Sequence, residues 1–189
     1  MPSENIIESD VLVIGGGISG LFAAIKAREQ GVKVTIVDKG YIGKSGASIF
    51  GGGFYGFFSV FDPAMGHDLK VWLDRISKTC EYINNPEWTA IALKDSYARY
   101  QDLITYGIDF EKSEDGEPRS FKENAPLEAF RMSRGRHTPG LMRKQALKSE
   151  VNIIDRIMVT NLIQQDGRVI GACGFHIWSG DWYLSLIHI

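Results

Sequence analysis

Asp10-Val11-Leu12-Val13-Ile14-Gly15-Gly16-Gly17-Ile18-Ser19-Gly20 decides the fold. A short β-branched run ends in three glycines, as a buried strand of a parallel sheet does. From Ile18 to Gln30 the apolar residues Leu21, Phe22, Ala24, Ile25 and Ala27 recur at helical spacing, and Gly31 stands where a helix stop is wanted. Val32 to Val37 reads as a second strand. Strand, helix and strand in close succession make a βαβ unit, whose crossover is right-handed in nearly all known cases.

Gly15, Gly17 and Gly20 spell G-x-G-x-x-G between that strand and that helix. In such a turn the first glycine makes the bend, the second lets the backbone approach a pyrophosphate, and the third lets helix and strand pack closely. The free N–H groups and the dipole at the helix start favour the phosphate charge. Asp38 follows at the end of the second strand, where a carboxylate accepts hydrogen bonds from ribose hydroxyls. A glycine-rich turn arising by chance is the plain alternative, but strand, turn, helix, strand and acid in that order argue against it. The acid repels a 2′-phosphate, so NADP is disfavoured. FAD and NAD both stay open on this pattern.

Working outward, Lys39 to Phe61 is rich in Gly, Ser and aromatics and holds no lasting period. His67 to Cys80 and Pro86 to about Tyr106 return to helical spacing, with Pro86 at a helix start and Gly107 at a stop. Ile108 to Lys122, with Asp115-Gly116 as its turn, predicts a short hairpin. Thr138-Pro139 opens a further helix to about Ser149, with Leu141, Met142, Ala146 and Leu147 facing the core and Arg143, Lys144 and Lys148 facing water. Val151 to Ile154 supplies a third strand. Ile157 to Gln165, the turn Asp166-Gly167, Arg168 to Ile177, the turn Ser179-Gly180-Asp181 and a strand from Trp182 predict a three-stranded antiparallel meander. The fold class is α/β: a Rossmann-like parallel sheet, a helical excursion and a β-meander, taken as one domain over 1–189.

Composition excludes other classes. The 189 residues are 44% hydrophobic and 23% charged, ordinary for a globular chain. Lys plus Arg at 21 against Asp plus Glu at 23 gives a formal charge of -2, so no broad basic surface awaits nucleic acid or acidic lipid. Cys80 and Cys173 have no metal or redox spacing and read as reduced thiols. The start of the chain is acidic and its apolar run is short and broken by glycine, which points to a cytoplasmic protein without direct membrane insertion.

The stretch after Asp38 separates the two cofactors. Instead of an early helix and third strand come Lys39-Gly40-Tyr41-Ile42-Gly43-Lys44-Ser45-Gly46-Ala47-Ser48 and Ile49-Phe50-Gly51-Gly52-Gly53. With the glycine run before it, this resembles the FAD-binding domain of the flavoproteins of succinate dehydrogenase, fumarate reductase, adenylylsulfate reductase and aspartate oxidase, whose fold is of glutathione-reductase type. The resemblance implies that Gly15, Gly16, Gly17, Ile18, Ser19 and Gly20 hold the pyrophosphate of FAD and that Asp38 and Lys39 lie at the adenosine ribose. It implies that Lys44, Ser45, Gly46, Ala47, Ser48, Gly52 and Gly53 run along the phosphate and isoalloxazine, and that Val159, beside Met158, meets the adenine. Small residues suit that role, because they let a backbone lie against a flat ring with its N–H groups toward the ring edge.

Where the membrane-bound members of that family carry a histidine joined covalently to the flavin, this chain has Gly46, which implies dissociable FAD and leans away from succinate oxidation. His137, within Arg131 to Gly140, is read as structural, and Arg131, Arg134 and Arg136 as a solvated basic loop. The resemblance implies hydride transfer at flavin N5 to or from a small, carboxylate-type substrate, with an iron-sulfur protein as electron-transfer partner. It places the family's proton-transfer and substrate-binding residues in a capping domain beyond this sequence, so no catalytic residue is assigned. A flavin-binding module without turnover and an NAD-dependent dehydrogenase are the competing readings. The resemblance ends at Tyr183, which predicts a truncated reading frame, a tail from Leu184 to Ile189 foreign to the fold, and an unpaired edge beside the first strand.

Overall fold

The computed structural model describes residues 5–49, 56–112, 114, 116, 120–121, 130–133 and 138–187. In chain order the elements are β1 (Asn5–Ser9), β2 (Val11–Ile14), α1 (Ile18–Glu29), β3 (Val34–Asp38), β4 (Gly56–Ser59), α2 (Leu69–Thr79), α3 (Pro86–Thr105), β5 (Ser120–Phe121), β6 (Phe130–Ser133), α4 (Thr138–Lys148), β7 (Asn152–Asp155), β8 (Ile157–Gln165), β9 (Arg168–His176) and β10 (Trp182–Ile187). They form two compact units, Met1–Gly51 with Arg136–Ile189, and Gly52–Gly135.

The first unit is built on a parallel sheet of order β2-β3-β7. Val34, Thr35, Ile36 and Val37 of the middle strand are all buried, as a strand covered on both faces requires. Helix α1 lays Leu21, Ala24 and Ile25, each 0% exposed, onto this sheet, and α4 adds Met142 and Ala146. The register of β3 against β7 sets Asp38 opposite Asp155. Two carboxylates thus stand side by side at the carboxyl ends of neighbouring strands, the end at which open α/β sheets receive ligands.

The expected meander is present and carries a fourth strand. β8, β9 and β10 pair antiparallel, Asp166 and Gly167 both adopting the positive φ of a tight primed turn, and β10 then pairs parallel with β1. β1 escapes a pattern reading because only Ile6 and Ile7 are apolar and its partner lies at the other end of the sequence. Residues 184–187, expected to be foreign to the fold, complete β10: Ser185 turns inward and is buried, while Leu184 and Leu186 alternate with it. The predicted open edge is half right. Among the described residues β2 is hydrogen-bonded only to β3, and Ile14 is left 49% exposed, but the stretch of chain just before it, β1, is paired.

The second unit holds α2 and α3. Asp68 and Asn85 cap their starts by accepting from Val71 N and from Glu87 and Trp88 N. Phe61, Trp72 and Leu93 form its buried cluster, with Phe61 edge-on to Trp72 at 5.3 Å. Among the described residues the hairpin predicted from Ile108 to Lys122 shows no ladder of its own, and much of its turn lies outside them. Phe110 and Lys112 make isolated bridges, and β5 pairs with β6 in a small sheet of order β4-β6-β5. The partner strand of β5 lies about ten residues further on, beyond the reach of a local turn signal.

Two side chains of α4 depart from the expected pattern. Leu147, assigned to the core, is 53% exposed, and Arg143, assigned to water, is turned inward against Asp155. A part-buried carboxylate at the end of β7 outweighs the local helical periodicity.

Candidate cofactor site

Each glycine of the first turn carries a different constraint. Gly15 has φ +111, where side chains are strained, and its N–H donates to Val37 O at 2.8 Å, tying the turn to β3. A Cβ on Gly20 would fall 1.8 Å from Gly15 O, so the third glycine lets the first helical turn close on the bend itself, with Val13 Cγ1 at 3.5 Å behind. Gly16, silent in the motif, is equally confined: its Cβ would lie 2.4 Å from Ile42 Cγ1. Gly17 is the exception, for a Cβ there would meet nothing within 4 Å.

Gly17 is the N-cap of α1, with no side-chain cap and no acid in the first turn. The helix start therefore keeps its partial positive charge, about half a unit, for an outside anion. Facing it is Gly46, at φ +88, whose Cβ would lie 3.2 Å from Gly17 Cα. The two stretches of backbone are therefore in direct contact, and the open space lies over Gly17 at the uncapped helix start, where main-chain N–H groups can receive a diphosphate.

Asp38 organises one wall. Its Oδ2 accepts from Gly16 N at 2.6 Å, and its Oδ1 accepts from Gly40 N at 2.6 Å and Ser45 Oγ at 3.1 Å. The carboxylate expected to receive ribose thus already ties the glycine turn to the loop after β3, and it retains acceptor capacity for one more donor. Ile18 is half-buried, Ser19 and Lys39 are exposed, and Lys44 is exposed with its Nζ 5.2 Å from the Tyr41 ring. Ala47 is exposed and Ser48 half-buried on a single short helical turn, Ala47–Ile49. Gly52, Gly53, Arg134, Arg136 and His137 lie outside the described residues. Val159 lines a small apolar cavity with Leu12, Val37, Ile157 and Ala172.

Sequence reasoning missed the group that holds the other wall. Arg143 Nη1 and Nη2 donate to Asp155 Oδ1 and Oδ2 at 2.8 and 2.9 Å, a bidentate pair. Arg143 Nη1 also donates to Ile42 O at 2.9 Å, and Asp155 Oδ1 accepts from Ile42 N at 2.8 Å. The hydrogen bond to Asp155 raises the Arg143 pKa above the ordinary arginine value, against the opposing effect of burial. The one available signal was an acid closing β7 just as Asp38 closes β3. No group of three or more His, Cys, Asp or Glu able to hold a metal occurs among the described residues, and no helix among them is long and apolar enough to cross a membrane.

The family model for the FAD binding domain matches residues 10–177. One of the subunits of fumarate reductase (CoM/CoB) from Methanothermobacter marburgensis is 31% identical over 186 residues, covering 96% of this chain and 34% of that protein. L-aspartate oxidase of Clostridium acetobutylicum is 27% identical over 172 residues, covering 88% and 38%. Among solved structures, the Mycobacterium smegmatis Sdh1 complex in the apo form superposes with a TM-score of 0.82 at 23% identity, over 97% of this chain and 33% of that one. Quinol fumarate reductase of E. coli superposes at 0.79 with 15% identity, over 97% and 32%. These two likenesses concern the fold. The chain spans about a third of the length of the curated relatives named.

Proposed function

The chain belongs to the FAD binding domain family, and from that premise we propose that it carries the flavin of an oxidoreductase of fumarate reductase and succinate dehydrogenase type. The observation that carries this reading is the open space over Gly17 at the uncapped start of α1, where an added Cβ would meet nothing within 4 Å. Residues 15–20 would hold the pyrophosphate by main-chain N–H groups. Asp38 would accept from the ribose while keeping the turn and the loop together, with Lys39 beside it. Lys44 to Ser48, with Gly52 and Gly53, would run along phosphate and ring, and Val159 would meet the adenine. Both units are taken as one FAD-binding domain.

When bound, the flavin supplies hydride transfer at N5, to or from a small carboxylate substrate. The residues of this chain bind and orient it, and none is assigned to proton transfer. Gly46 offers no imidazole, so the cofactor is held without a covalent bond. An iron-sulfur protein as electron partner fits the relative from Methanothermobacter marburgensis, which works as one part of a multisubunit reductase. A cytoplasmic setting suits two free cysteines.

Reconstitution with FAD followed by acid precipitation tests this directly. Yellow protein whose colour leaves with the supernatant is the expected result. A folded chain that takes up no flavin sinks the reading, and colour that stays with the pellet sinks the non-covalent part of it.

A further inference from the structure

We infer that Arg143 and Asp155 form a positioning pair that sets the loop 40–46 in place against the glycine turn, beside the cofactor cradle, by holding both backbone polar groups of Ile42. The inference rests on the cofactor reading above for its purpose, and on the following geometry for its mechanism. One ion pair closes a ring around a single peptide position: Asp155 Oδ1 accepts from Ile42 N, Arg143 Nη1 donates to Ile42 O, and the guanidinium and carboxylate are joined by two further bonds of 2.8 and 2.9 Å. Both side chains are about one-fifth exposed, so water competes weakly for these groups.

What is held in place is the residue that touches the glycine turn. Ile42 is 0% exposed, and its Cγ1 stands 2.4 Å from where a Cβ on Gly16 would be. The neighbouring Gly43 donates to Gly16 O at 3.3 Å, and Gly43 itself packs so closely on α4 that a Cβ would lie 2.9 Å from Arg143 Cβ and from Pro139 O. Arg156 N, one residue after Asp155, donates to Gly40 O at 2.9 Å, a second strut from the same strand end. Tyr41 covers the guanidinium with its ring, 4.3 Å from centroid to Cζ. From Ile42 the chain runs three residues to Ser45, which bonds Asp38, and one more to Gly46 against Gly17. The ion pair thus fixes the loop wall relative to the helix-start wall before any ligand arrives, so binding need not order the loop.

The test uses Arg143→Met, the charge-conserving Arg143→Lys, and Asp155→Asn, each read by two measurements. In the cofactor-free chain, amide exchange at Ile42, Gly43 and Lys44 is expected to speed by about tenfold or more while Ile36 and Val37 of β3 keep their protection. The FAD dissociation constant is expected to rise by about tenfold or more in Arg143→Met, and by less in Arg143→Lys, which keeps the charge but not the fork. A folded Arg143→Lys with loop exchange and FAD affinity both at wild-type values overturns the inference. So does protection lost equally over β3 and the loop in all three variants, since that is the signature of general destabilisation. If the wild-type chain fails to bind FAD while the exchange contrast is observed, the positioning of the loop stands and the cofactor reading falls.

Discussion

Replacing Gly17 by Ala separates cofactor binding from folding in a way no other glycine of the turn allows. At φ -71 and ψ -178 the backbone of Gly17 is open to any residue, and the added Cβ meets nothing within 4 Å. An alanine restricts the unfolded chain and so stabilises by about 0.4–1 kcal/mol. It is also a poorer N-cap than glycine, by roughly the same amount. The two effects cancel to within about 0.5 kcal/mol, so the thermal midpoint followed by circular dichroism should hardly move. The methyl group, however, stands in the space assigned to the pyrophosphate. Losing even one charge-assisted hydrogen bond there costs about 1.5–3 kcal/mol, which weakens FAD binding by about ten- to a hundredfold in a flavin fluorescence titration. Gly20→Ala is the contrasting control, since its Cβ would fall 1.8 Å from Gly15 O. It should unfold the turn and lose about 1–3 kcal/mol of stability. A Gly17→Ala protein that binds FAD within about threefold of wild type would refute the assignment of the cradle.

Gly46→His should not create a covalent flavin site, because φ +88 and a 3.2 Å approach to Gly17 Cα strain any side chain there; acid-stable yellow protein from this variant would contradict that. Glu150 stands just beyond α4 at φ 60, with Val151 N bonded to Ala146 O and Glu150 N to Leu147 O, the cap geometry that favours glycine. Glu150→Gly should therefore stabilise by about 0.5–1 kcal/mol, despite losing the exposed contact to Arg28, and a lower denaturation midpoint would count against it. Because the folded-state pKa of Arg143 is raised, its contribution is complete below the ordinary arginine range and is lost only as pH climbs through the folded value. The stability difference between wild type and Arg143→Met should accordingly stay flat between about pH 6 and 9; a slope in chemical denaturation across that window would show another group at work.

What was legible in the sequence was whatever depends on near neighbours. Strand, glycine turn and helix from Val11 to Glu29, the caps of α3 and the Asp166-Gly167 turn follow from local backbone preferences, and they stand where expected. The geometry of Gly15 and Gly17 was legible for the same reason. What stayed hidden depends on partners distant in sequence. β1 is a strand because β10 lies beside it, β5 joins β6 and not the run after Ile108, and Arg143 turns inward because Asp155 and Ile42 offer it three acceptors. The steric need for Gly16 comes from Ile42, a residue of a later loop, and has no local signal.

The pairing of β1 with β10 also has a consequence for biosynthesis. Asn5 faces Tyr183 across that ladder, so β1 leaves the ribosome long before the strand it pairs with. At about 5–20 residues per second, some 180 residues take roughly 10–35 s. Throughout that interval Asn5 to Ser9 is an unpaired strand joined to β2, whose own partner β3 is made at once. The βαβ unit can therefore close early around its glycine turn, while the four-stranded sheet is assembled only once Ile187 has emerged.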